Sequence, residues 1–309
     1  MTEDTGLRPF RDSNHGGTPG GESFLHPLSL AGSFGVFLYL GWMLLARAFH
    51  LQTGWFAGAG WHWTPLVYYC CLDAFALALS AAFLCGFDGR SFRLLGLAIF
   101  PGCFRHAMVG LGCGVCVISL ATLLLQLTHA DDVVLFAARS GGSVLFLACF
   151  LVLAAAFEEM AFRGYALARA ADSVGPVVAC LVSSALFGFA HSANPQATLL
   201  STANTALAGV LLSIARLRSG ALWMPIALHF AWNFSLGAVF SFPVSGLALG
   251  ATRFSSPGPG PMWLTGGAYG PEASVLLTAA LAVAIPLLLR YPRQVSPGAT
   301  PLPTALKES

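Results

Sequence analysis

The stretch Val144–Tyr165, VLFLACFLVLAAAFEEMAFRGY, decides how this chain folds. From Val144 to Phe157 every side chain is apolar, counting Cys149 as the small hydrophobe that a free cysteine usually is. Glu158, Glu159 and Arg163 then arrive together. They fall within the roughly 20 residues that a helix needs to cross the hydrocarbon of a bilayer. A run that is apolar on every side has no face to offer water. It reads as a spanning helix that carries its charges into the membrane.

Similar runs lie on both sides of it. Together they give about eight candidate spans: Leu28–Phe49, Pro65–Phe87, His106–Leu127, Val144–Tyr165, Val174–His191, Thr198–Ala215, Ala221–Phe240 and Ala273–Leu289. Composition agrees. Of 309 residues, 56% are apolar and 9% charged, and the mean hydropathy is +0.74. A soluble domain carries about 25% charged residues, so this chain could not cover a water-facing surface. Because lipid leaves backbone groups no external partner, apolar spans of this length form helices. The expected fold is therefore an all-α, polytopic transmembrane helical bundle.

Basic residues give the orientation, since short cytoplasmic loops are enriched in Lys and Arg. Arg8 and Arg11 precede the first span, and Arg90, Arg93 and Arg105 follow the second. Arg163 and Arg169 end the fourth, Arg216 and Arg218 the sixth, and Arg290, Arg293 and Lys307 follow the eighth. The opposite loops hold a tryptophan patch (Trp55, Trp61, Trp63), Arg139 balanced by Asp131 and Asp132, and a solitary Arg253. Both termini are thus expected in the cytoplasm, with Arg47, which could snorkel from its helix end, as the one mild exception. Residues 1–26 read as a flexible polar tail and not a signal peptide, because the first apolar run begins late and is long enough to span. The bundle is expected over 27–291, with a cytoplasmic tail over 292–309. Ser91 to Pro101 fits an interfacial amphipathic piece, or simply a loop.

A net charge of +2 without a basic stripe excludes the usual nucleic-acid footprint. The eight cysteines lie in or beside apolar stretches and imply no disulfide framework. Cys113 and Cys116 form a C-x-x-C, yet Gly110, Gly112 and Gly114 surround them, which favours close helix packing over redox or metal chemistry.

Ionisable residues inside spans carry the functional information, since each costs about 2.5–3.5 kcal/mol at a helix centre. Asp73 and His106 are isolated; the others concentrate in the second half. Glu159 and Arg163, spaced i, i+4, share a helix face and can neutralise one another. Glu158 points about 100° away with no local counter-ion, which makes it the candidate general base or acid. Phe187 lies one turn before His191 and can wall its imidazole. His229 and Asn233 again share one face and can both donate to a developing oxyanion. Taken singly, each histidine or asparagine reads equally well as a hydrogen bond between helices. Glu159, Glu158 and Arg163 also fit a structural ion cluster, although one arginine leaves a negative charge over.

In order, Glu158-Glu159-x-x-x-Arg163, Phe187-x-x-x-His191 and His229-x-x-x-Asn233 resemble the three signature motifs of the CPBP family of intramembrane glutamic endopeptidases. That family holds CAAX prenyl proteases of type II, Abi-type proteins and bacteriocin-processing relatives. The resemblance runs from about Gly141 to Asn233, within a core expected over about 141–240, and is weaker in the PVSGL and TGGAYGPE segments. It implies a peptide hydrolase. Glu158 would activate a water with help from His191, and His229 with Asn233 would stabilise the oxyanion. Glu159, Arg163 and Phe187 would support them. No metal or other cofactor is expected. The competing possibility is zinc held by Glu158, His191 and His229, against which stands the lack of H-E-x-x-H.

The implied partners are the lipid bilayer and a membrane-anchored protein or peptide substrate, in the plasma (inner) membrane if the source is bacterial. A non-catalytic membrane binding or immunity factor is the alternative, and a proton-coupled transporter a further one. One spacing conflicts with a shared site. Simple spans separate His191 from Glu158 by about 15 Å.

Overall fold

The computed structural model describes residues 25–49, 63–130, 135, 141–249 and 260–294. Most of the expected N-terminal tail, much of the C-terminal tail, Trp55, Trp61, Asp131, Asp132, Arg139 and Arg253 lie outside the described residues. The elements in chain order are α1 (Leu25–Ala48), α2 (Thr64–Ala81), α3 (Cys103–Leu127), α4 (Gly141–Glu159), α5 (Tyr165–Val174) and α6 (Pro176–His191). After them come α7 (Leu199–Ser219), α8 (Trp223–Phe234), the short α9 (Met262–Thr265) and α10 (Val275–Leu289). Wider π-wound turns continue α2 over Ala82–Phe87, join α4 to α5 over Met160–Gly164, and continue α8 over Ser235–Val239. Among the described residues there is no strand; Val244 and Leu247 form an isolated bridge.

The chain is an integral membrane protein built as an all-α, polytopic bundle. Among the described residues, five helical runs are long and apolar enough to cross a membrane: Pro27–Ala48, Thr64–Phe87, Cys103–Leu127, Ser143–Val174 and Leu199–Ser219. Pro176–His191 and Val275–Leu289 are apolar but shorter. Helical rods stand at all eight expected positions, but α6, α8 and α10 are short. α8 is enclosed: Met224 through His229 and Ala231 through Asn233 are buried by other helices. Large apolar side chains cover the outside instead, among them Phe37, Leu40 and Leu44 on α1 and Val177, Leu181, Leu186 and Phe189 on α6. Continuous apolar exteriors of that kind suit lipid and not water.

Small residues set the closest helix contacts. A Cβ on Gly110 would collide with the Met224 carbonyl, and one on Gly114 with the Leu228 carbonyl, so α3 rides directly on the backbone of α8. Gly112 faces open space. On the other side of the site, a Cβ on Gly188 would stand 2.8 Å from the Thr202 carbonyl, and one on Gly209 3.0 Å from the Ser184 Cα. These contacts lock α6 to α7. Without a hydrophobic drive between helices in lipid, such backbone approach is what holds them. Cys113 packs beside the main core, and all eight cysteines are free thiols.

Two expectations change here. The fourth helix does not end at Tyr165. It passes through a π turn and runs to Val174, Gly175 reverses the chain at φ +81°, and α6 starts at Pro176. Arg163 is therefore an interior residue. So is Arg216, fully buried on α7, where Nε donates to the Arg163 carbonyl at 3.1 Å and Nη2 to the Leu94 carbonyl at 3.0 Å. Neither arginine counts as a loop charge. Lastly, Ser91–Pro101, expected as an interfacial amphipathic piece or a loop, is a strap with one short helical turn. A 3-10 turn over Phe92–Leu95 buries Leu94 and Leu95. The strap then binds the start of α8, with Leu222 N–H donating to the Gly96 carbonyl at 2.8 Å and Trp223 Nε1 to the Ala98 carbonyl at 3.0 Å.

The remaining basic loops meet at one end of the bundle. Arg169 pairs with Asp88 at 3.0 Å and Asp172 at 2.9 Å, and Arg90 reaches Asp172 at 2.7 Å. Gln294 N–H donates to the Arg218 carbonyl at 2.7 Å. The residues after α2 and α10 thus join α5 and the end of α7.

Candidate active site

Three helix ends converge inside the bundle. α4 brings Glu158 and Glu159 to the point where the helix widens into its π turn. Such a turn frees main-chain carbonyls, which must find other partners. Here Ser183 Oγ donates to the Phe162 carbonyl at 2.9 Å, and Arg216 takes that of Arg163. Neighbouring helices therefore hold the distortion in place.

Glu159 and Arg163 are both fully buried and form the expected pair, Nη1 to Oε1 at 3.2 Å. Arg163 Nη2 also donates to the Gly209 carbonyl at 3.3 Å. Its guanidinium lies over the Phe187 ring, 4.1 Å from the centroid, a cation–π contact. The Phe187 ring packs on the His191 imidazole with centroids 4.5 Å apart and meets His229 edge-on at 6.0 Å.

The two imidazoles are held differently. His191 Nδ1 lies 2.9 Å from the Phe187 carbonyl. A carbonyl only accepts, so Nδ1 carries the hydrogen and Nε2 of the neutral ring presents a lone pair. That Nε2 lies 3.7 Å from Glu158 Oε2. His229 gives its Nδ1–H to Glu159 Oε1 at 2.9 Å and turns Nε2 to the same Glu158 oxygen at 3.9 Å. Both Nε2 gaps exceed a direct hydrogen bond. Glu158 Oε2 is itself buried and has no hydrogen-bond partner among the described residues. The expected 15 Å separation is thus overturned. Glu158 and His191 stand nearly equal numbers of residues from the Gly175 turn, so the longer fourth helix brings them level.

Phe187, His191, His229 and Asn233 line a cavity of about 20 Å³, room for a single water, which needs about 10–15 Å³. Glu158 is not among the lining residues and meets the cavity only through His191 and His229; its side chain is 25% exposed against 0% for Glu159. Asp73 and His106 line no part of it. Among the described residues, no group of three His, Cys, Asp or Glu side chains is arranged to hold a metal ion.

The cavity also has a wall that the motif reading missed. Glu272, on the 3-10 turn Pro271–Ala273, is buried and faces the same space. Its Oε1 accepts from Trp232 Nε1 at 2.9 Å, and its Oε2 accepts from the Ser245 backbone N–H in a short bond. Burial pushes its carboxyl above the usual carboxylate range, against the pull of the bonds from Ser245 and Trp232. Asn204 donates to the carbonyls of Glu272 at 2.9 Å and Ser274 at 2.8 Å. Glu272 lies outside every apolar span, so a scan for charges within spans passes over it. The only signal was the weaker resemblance in TGGAYGPE and PVSGL, which contain Glu272 and Ser245.

Residues 140–235 match the model of a family described as Type II CAAX prenyl endopeptidase Rce1-like. The match spans about a third of the chain and contains all three motifs. It is the family type to which those motifs point, and at family level it implies a protease. Neither the comparison with curated proteins nor that with solved structures finds a match.

Proposed function

We propose that this protein is an intramembrane endopeptidase that hydrolyses a peptide bond of a membrane-anchored substrate with a glutamate-activated water. The observation that carries the reading is the convergence of two imidazole Nε2 atoms on one oxygen of Glu158, at 3.7 and 3.9 Å. Glu158 takes a proton from a water lying against it, and His191 Nε2, held as an acceptor by the Phe187 carbonyl, shares that proton. The resulting hydroxide attacks the substrate carbonyl. The proton then passes to the departing amine.

His229 is the oxyanion donor. Glu159 occupies its Nδ1–H, so Nε2 can donate only when the ring is doubly protonated. Asn233, one turn further along α8, supplies the second donor through its carboxamide. Glu159 and Arg163 hold His229 in aim, and Phe187 walls both imidazoles.

We place the basic end of the bundle in the cytoplasm, following Arg90, Arg93, Arg169, Arg218 and Arg290. The membrane is the plasma (inner) membrane if the source is bacterial. The test compares protein termini in membranes of cells making the native chain, Glu158→Gln, His191→Ala or none. Termini that appear with the native chain should vanish in both variants while folded protein persists. If Glu158→Gln still generates them at the native rate, the protein is no glutamate peptidase and a binding role takes precedence. The same purified chain, exhaustively chelated, should retain its rate; a stoichiometric zinc requirement would overturn the metal-free mechanism.

A further inference from the structure

We infer that Glu272 is a positioning residue of this site, clamping the catalytic face of α8 to the loop that closes the cavity. The inference rests on the peptidase reading above. Trp232 is the joint. It lies between His229 and Asn233 in sequence, lines the same cavity, and gives its indole N–H to Glu272 Oε1 at 2.9 Å. The second carboxylate oxygen takes the backbone N–H of Ser245, within the turn closed by the Val244–Leu247 bridge.

One buried carboxylate thus ties three separate pieces of chain: α8, the 244–247 turn and the 3-10 turn before α10. Its own backbone is fixed in turn. Asn204 on α7 donates to the Glu272 and Ser274 carbonyls, and Thr278 Oγ1 donates to Asn204 Oδ1 at 2.6 Å. Asn194, in the loop after His191, donates to the Ser245 carbonyl at 3.1 Å. The loops following His191 and following α8 are therefore referred to the same anchor.

Both donors to Glu272 can only donate. A carboxylate satisfies both at once, whereas a carboxamide accepts with one atom and turns N–H against the other donor. Glu272→Gln therefore breaks one side of the clamp with almost no change of volume. Glu272 touches no reacting atom. Its loss should misplace His229 and Asn233 relative to the water, leaving substrate binding alone. Misplacement of about 1 Å is enough for a rate loss on the order of 100-fold.

Two measurements on the full-length protein in lipid nanodiscs test this. Hydrogen exchange reads the clamp without activity: the peptide containing Ser245 should exchange at least about tenfold faster in Glu272→Leu, which removes both acceptors, than in the native chain, since it loses a hydrogen bond to a charged group. Turnover of a membrane-anchored reporter, carrying the sequence around a terminus mapped with the native chain, reads the positioning. There kcat should fall about 10- to 100-fold with KM within about twofold. Trp232→Phe keeps the ring and loses the donor. It should show a similar kcat loss, and the double variant should be no worse than the single ones.

Unchanged exchange at Ser245 refutes the clamp. Faster exchange with native kcat, or a rise in KM alone, refutes the positioning role. Glu158→Gln in the same assay separates the two layers. If it still cleaves, the peptidase reading fails, and the exchange arm alone judges the clamp.

Discussion

Glu158 and Glu159 are neighbours in sequence, yet their substitutions by glutamine should have opposite consequences. Glu159 and Arg163 are 0% exposed and paired at 3.2 Å, and the same Glu159 oxygen holds His229 at 2.9 Å. Removing one partner from a buried ion pair costs about 3–5 kcal/mol, because the other charge stays buried without compensation. Glu158 is partly exposed, and its nearest nitrogens lie at 3.7 and 3.9 Å, beyond a direct bond. Losing so loose a pair costs about 1 kcal/mol or less. With about 2–4 °C of melting temperature per kcal/mol, Glu159→Gln should melt on the order of 10 °C below the native protein. Glu158→Gln should melt within a few degrees of it.

Thermal unfolding of the purified variants in one detergent, followed by intrinsic fluorescence, measures both. Adding Arg163→Met to Glu159→Gln removes the stranded cation and should recover part of the loss. Equal melting of Glu158→Gln and Glu159→Gln would refute the division between a reactive and a neutralised carboxylate. A double variant less stable than Glu159→Gln alone would refute the charge argument itself.

Two further outcomes follow from the packing. Gly114→Val should drive α3 away from the Leu228 carbonyl and cost about 1–3 kcal/mol. Gly112→Val, facing open space, should stay near native; equal unfolding profiles for the two would contradict the backbone contact with α8. Phe187→Leu keeps the carbonyl that fixes His191 but removes the ring under Arg163 and against the imidazole. About 0.5–2 kcal/mol of stability should be lost through the cation–π contact, with turnover reduced about tenfold by looser aim. Native values in both unfolding and turnover assays would show that the ring only fills space.

What the sequence by itself determined was the solvent and the cast of residues. Apolar runs with almost no charge dictate helices in lipid, because each span must satisfy its own backbone, and all eight rods stand where those runs lie. The rare charges within the spans could be read for the same reason. Lipid makes each one expensive, so Glu158, Glu159, Arg163, His191 and His229 stand out against their background.

Tertiary structure decided where those residues meet. Periodicity gave no sign that the fourth helix passes through a π turn and continues to Val174, because that turn is held by Ser183 and Arg216 from other helices. Without that continuation His191 seemed about 15 Å away from Glu158. Arg216 itself looked like a loop charge, since nothing near it in the chain announces the carbonyls that bury it. Glu272 was hidden for a related reason: a short polar turn carries no local signal that it folds back onto Trp232. Local sequence specifies which segments enter the membrane; partners far apart in sequence specify how deep each side chain sits and which way it points.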